Sequence, residues 1–140
     1  MNKLTGLRIV AAVAVLVSAF VHLRLWIDGV KDEHLVGPAF LVNAVAGVVI
    51  AALLLLWRSW EPPFLAAGFG AATMVAFVIA ATVGLFGVHE HWTGGYVWAA
   101  FIAEAVALVA GLGALARERM RPVGYKPHVR NRSTTGRLLG

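Results

Sequence analysis

Apolar residues run along this chain in four long, nearly unbroken stretches, roughly Leu7–Ile27, Pro38–Trp57, Phe64–Val88 and Tyr96–Ala116. Each is close to the ~20 residues that a helix rising 1.5 Å per residue needs to cross ~30 Å of hydrocarbon. The runs are continuous rather than alternating, which excludes barrel strands of ~10 residues with a polar lumen side. The pattern predicts an all-α protein: an integral membrane four-helix bundle of up-down-up-down topology, its short connections making consecutive helices neighbours. RSWEPP (58–63) is the sharpest boundary, since Pro62 and Pro63 should stop one helix while the second prolyl enters the first turn of the next. WIDGVKDEHLVGP (26–38) is the longest and most charged connection. No internal repeat is convincing.

Composition agrees with the pattern. Of 140 residues, 60% are hydrophobic and 14% charged, and the mean hydropathy is +0.80, well above the apolar share of soluble domains. The spans of residues 1–116 leave no room for a soluble catalytic domain. Cysteine is absent, which removes disulfides, thiolate ligands and Cys nucleophiles together. The opening MNKLTGLRIVAAVAVLVSAF has the charge and small-residue spacing of a signal peptide, but the apolar run continues past Ala19 through Phe20, Val21 and Leu23. It reads as an uncleaved first span.

Charge sets the expected orientation. With an inside N-terminus, Lys3, Arg8, Arg58, Arg117, Arg119, Arg121, Lys126, Arg130, Arg132 and Arg137 are cytoplasmic, against Arg24 and Lys31 outside. Retention of basic residues in short cytoplasmic loops then gives N-in and C-in, in a bacterial inner membrane. Residues 117–140 form a basic cytoplasmic tail, expected to be disordered, in which Arg117, Arg119, Arg121, Lys126, Arg130, Arg132 and Arg137 face one glutamate. Attraction to anionic headgroups, ~1 kcal/mol per basic residue, accounts for it. With one aromatic the tail has no stacking pattern for nucleic acid, so none is expected as a partner. Trp26, Trp57, Trp60, Trp92 and Trp98 fall near span ends, as interfacial anchors do.

Small residues recur four apart at Ala72, Ala76, Ala80 and Gly84 in span three and at Ala99, Ala103, Ala107 and Gly111 in span four. Such stripes let helix backbones approach where lipid removes the usual hydrophobic drive. They predict tight contact between spans three and four, or with a protein partner or second copy.

The polar residues inside the spans are few: Ser18, His22, Arg24, Asn43, Thr73, Thr82 and Glu104. His22, Asn43 and Thr82 each lie ~8–9 Å inside the outer end of a span, and Glu104 ~12 Å inside, its side chain leaning back toward that layer. A carboxylate in hydrocarbon is unfavourable by ~2.5–3.5 kcal/mol and must face the bundle interior and find a donor, for which His22 and Asn43 are available. Glu104 is then either neutral or paired with a protonated His22. His22, Asn43, Thr82, Glu104 and Ser18 form a candidate polar cluster: either a hydrogen-bonded knot fixing helix register or a proton-, ion- or cofactor-linked site.

HEH at 89–91 is less specific. His89 and His91 share a side only in an extended segment, and with Glu90 they need a fourth ligand such as His34 or water to hold a metal. A haem would require His22 with His89, which differ in depth by ~8 Å. Quinone binding at His22 and Glu104 is sterically easier. No motif calls for a cofactor, although haem, quinone and metal each stay open.

HLRLW (22–26) followed by VGPAFLVNAVAG (36–47) resembles a set of small four-helix actinobacterial membrane proteins. The resemblance covers the four spans and not the tail, and rests on His22, Leu23, Trp26, Gly37, Pro38, Phe40, Leu41, Asn43 and Glu104. It implies the four-helix membrane fold and carries no activity. The sequence reads first as a non-enzymatic accessory or scaffold subunit of a larger membrane assembly. The alternative is a proton-, metal- or quinone-linked redox or transport protein working at His22 and Glu104.

Overall fold

A computed structural model describes residues 3–32, 34–84 and 94–120. They form four α-helices, α1 (Lys3–Asp28), α2 (Val36–Leu56), α3 (Glu61–Thr82) and α4 (Gly95–Arg119), with one 3-10 turn (Val30–Asp32) between the first two. Among the described residues there is no strand, and all four helices are long and apolar enough to cross a membrane.

Two boundaries depart from the hydropathy pattern. Helix α2 ends at Leu56 and Trp57 turns into extended backbone, so neither proline stops it. Pro62 and Pro63 both lie in the first turn of α3, where the missing N–H would have had no partner. Helix α3 ends at Thr82, six residues before the expected Val88. Gly84 takes φ +84°, and its N–H returns to the Ile79 carbonyl at 3.0 Å, a left-handed exit that glycine makes without strain.

Helix α1 packs along both α2 and α4, α4 also packs along α3, and the contact between α2 and α3 is slight. The interior is built from small side chains: Ala11, Ala12, Ala14, Ala66, Ala107 and Ala110 surround Val15, Leu54 and Phe69. The bulky apolar residues face outward, with Val13, Phe20, Val42 and Val109 between 55% and 70% exposed. In water such a surface would aggregate; against lipid tails it costs nothing, and van der Waals packing of small residues holds the helices together.

Contact between α3 and α4 is tight, though not through the expected α3 stripe. A Cβ at Gly111 of α4 would come 2.7 Å from the Ala67 nitrogen and 2.9 Å from the Pro63 carbonyl oxygen, and one at Gly70 of α3 would strike the Glu104 carbonyl. Backbones meet directly at these positions. On α4 the expected Ala103, Ala107 and Gly111 are buried, whereas on α3 the packing face is Pro63, Ala66, Ala67 and Gly70. Ala72 is exposed, and Ala76 and Ala80 line a cavity. The α1 and α2 backbones approach at Gly47, whose Cβ would lie 2.8 Å from the Val15 carbonyl oxygen and the Ala19 methyl. The dense core lies between two cavities, one bordered by Arg8 and one by His22.

Candidate functional site

Ser18 and His22 sit one turn apart on α1, so they share a face. His22 Nδ1 lies 2.8 Å from the Ser18 carbonyl oxygen. A carbonyl only accepts, so Nδ1 carries the hydrogen and Nε2 is left for other work. Nε2 stands 3.8 Å from Glu104 Oε1 on α4, and the Ser18 hydroxyl donates to that same carboxyl oxygen at 3.2 Å. Ser18 is fully buried and Glu104 is 2% exposed. A net charge this deep would be severely penalised, so the pair is neutral overall: imidazolium with carboxylate, or imidazole with carboxylic acid. Either way the pair carries one acidic proton, on the imidazole Nε2 or on the carboxyl, and at 3.8 Å the two atoms stand too far apart to share it directly.

This pair closes one end of a cavity of about 360 Å³. Phe40 and Asn43 of α2, Thr73, Ala76, Phe77 and Ala80 of α3, and Phe101 of α4 line the rest. The Phe40 ring lies 4.9 Å from the His22 ring, and Phe77 lies 5.8 Å from Phe101. Because α2 and α3 both line the cavity yet barely touch, its open side is the seam between them. Thr73 spends its hydroxyl hydrogen on the Phe69 carbonyl at 2.8 Å, which leaves the oxygen as an acceptor. Asn43 lines the wall without a hydrogen-bond partner among the described residues.

Of the five residues expected to cluster, Ser18, His22 and Glu104 are in contact and Asn43 borders the same cavity. Thr82 does not join them. It is the last residue of α3, exposed, and bonded to its own helix at the Val78 carbonyl, 2.7 Å away. The helix ends earlier than hydropathy suggested, so counting depth from Val88 placed it too far inside. Thr73, nine residues earlier, occupies the α3 position on the cavity.

His34 is exposed in the turn before α2 and lines no cavity described here. His89, Glu90 and His91 lie outside the described residues, as do Arg121, Lys126, Arg130, Arg132 and Arg137. Among the described residues no group of three or more His, Cys, Asp or Glu gathers to hold a metal.

No protein-family model, curated protein or solved structure matches this chain. The chemistry of the site is therefore read from its own geometry.

Arg8, counted above only as a topology signal, is the structural residue that sequence reasoning missed. It is 6% exposed. Its Nε donates to the Leu54 carbonyl and its Nη1 to the Ser59 carbonyl, both at 2.9 Å, while Nη2 reaches the Trp57 carbonyl. It also forms an ion pair with Glu118 near the end of α4. The last carbonyls of a helix have no partner within it, and Arg8 supplies one to α2 from a neighbouring helix. A basic residue at the start of an apolar run and an acidic residue in a basic stretch were the available signals. Beside this knot Arg119 stacks 5.5 Å over the Trp60 ring, and Arg117 is exposed.

Proposed function

We propose that this chain is a multi-pass protein of the bacterial plasma membrane, with both termini cytoplasmic and its spans alternating in direction. Its function is to bind a small amphiphile that dissolves in the bilayer, in the cavity between α2 and α3. The basic residue distribution supports the orientation, and Arg8 meeting the C-terminal turns of both α2 and α4 supports the alternation of the spans. On this orientation the cavity lies in the outer half, and Arg117, Arg119 and the basic residues after them lie against anionic headgroups.

The observation that carries the function is a void of about 360 Å³, within the ~300–1,000 Å³ range of small-molecule sites, that has apolar walls, a lipid-facing seam and one buried polar end. A knot serving only helix register would be packed shut. Of the two features behind the accessory-subunit reading, the small-residue stripes are largely engaged within the chain by α3–α4 packing and the cavity wall, and the basic tail fits either reading.

The test is extraction. The full chain is purified in lipid nanodiscs, bound organics are extracted, and their masses are compared with those from Ala76→Phe, which fills the cavity without touching the polar pair. A compound stoichiometric with protein and lost in the variant supports the reading; identical extracts overturn it.

A further inference from the structure

We infer that the head held in this cavity is a flat ring bearing carbonyl or hydroxyl oxygens, the class formed by isoprenoid quinones and their quinols. The inference rests on the ligand-binding reading above and names its ligand class. The first observation is the wall. Phe40, Phe77 and Phe101 line the cavity, the first tilted 55° against His22 and the other two 56° against each other. A planar ring between tilted aromatic faces makes edge and offset contacts that a saturated head does not.

The second observation is the inventory of polar groups. Among the described residues that line the cavity there is no Lys or Arg, so a phosphate head would enter without a counter-charge. A fatty-acid carboxylate would meet the Glu104 carboxyl end-on. A permanently cationic amphiphile would suit a Glu104 carboxylate and the aromatic walls, yet it would leave Asn43 without a hydrogen-bond partner.

An oxygen-bearing ring gives Asn43 a partner and also engages the spare Nε2 of His22 and the spare acceptor of Thr73. The acidic member of the His22–Glu104 pair, whose Nε2 and Oε1 stand 3.8 Å apart, can donate its proton to a ring carbonyl, and the basic member can accept from a ring hydroxyl. Asn43 offers both an NH₂ donor and a carbonyl acceptor, and Thr73 an acceptor. The site therefore takes the oxidised and the reduced ring alike. About 360 Å³ accommodates the ring and the start of a tail, and the rest of the tail leaves through the α2–α3 seam into lipid.

The experiment measures binding of four probes to the full chain in nanodiscs by equilibrium dialysis: a decyl-tailed quinone, its quinol, palmitate and tetraphenylphosphonium. Saturable binding of quinone and quinol, in competition with each other and tighter than the other two, is the expected result. Asn43→Leu and Glu104→Gln should each weaken it about tenfold. Ala76→Phe should abolish it with helix content and thermal midpoint unchanged, which keeps the test meaningful if Glu104→Gln misfolds. Tighter binding of palmitate or tetraphenylphosphonium overturns the ring assignment and leaves the amphiphile site standing. Saturable binding of none of the four overturns both, and quinone binding undiminished in Ala76→Phe overturns the assignment to this cavity.

Discussion

Replacing Arg8 separates two roles that a basic residue near a span end can have. Arg8→Met keeps the length and apolar stem but removes a guanidinium that serves three carbonyls and the Glu118 carboxyl, at side-chain exposures of 7% and 10% for the ion pair. Removing one partner of a buried pair leaves the other charge uncompensated, at about 3–5 kcal/mol. That is about two to three and a half powers of ten in the folding equilibrium. Arg8→Lys keeps the topological charge but loses the planar fork, so it should recover only part of the loss. Adding Glu118→Gln to Arg8→Met should restore stability relative to Arg8→Met alone, because the stranded carboxylate is then gone. The assay is reversible unfolding of the purified variants in mixed micelles, followed by circular dichroism and analysed as a double-mutant cycle. The reasoning is refuted if Arg8→Met costs under about 1 kcal/mol, the range of exposed pairs, or if Arg8→Lys is as stable as the parent.

Three further outcomes follow from the packing. Gly111→Val should destabilise by about 1–3 kcal/mol by forcing α3 and α4 apart, whereas Gly68→Ala, with nothing within 4 Å of its added methyl, should be neutral or gain up to about 1 kcal/mol; thermal melts of the two compare them directly. Ser18→Ala should cost about 0.6–1.7 kcal/mol, the range for hydrogen bonds between membrane helices, while Thr82→Ala, which removes only a bond to its own helix, should stay within about 0.5 kcal/mol. The chain has no cysteine, so His34→Cys and Glu61→Cys can be labelled cleanly in whole cells. An impermeant maleimide should reach the first and not the second, and the reverse pattern would invert the proposed orientation.

The helices were legible because lipid imposes a length and a polarity on each span that no other environment does. Glu104 was legible for the same reason, since burying a carboxyl demands partners, but of the two donors expected only His22 stands beside it; Asn43 borders the cavity instead, and the hydroxyl that bonds Glu104 is that of Ser18, one turn from His22 on α1. Thr82 and Thr73 were not distinguishable. The end of α3 is set by the backbone conformation at Gly84, while apolar residues continue through Val88. Which face of α3 meets α4 was equally hidden, since small residues occur on both faces and only the rotation of the helix chooses Gly70 over Ala72. Arg8 pairs with a residue 110 positions away, a separation over which sequence spacing carries no information.

The uneven filling of the bundle has a mechanical consequence. A close-packed stretch of alanine and glycine contacts separates two cavities, one of about 410 Å³ bordered by Arg8 and Trp60 and one of about 360 Å³ between helices that scarcely touch. Close-packed interiors have low compressibility, so the elastic give is concentrated at the two cavities and not along the alanine-packed contacts between them. Hydrostatic pressure or a stiffer, thicker bilayer would squeeze α2 toward α3 at the His22 end, where the two helices scarcely touch, making occupancy of that cavity responsive to the lateral pressure of the surrounding lipid.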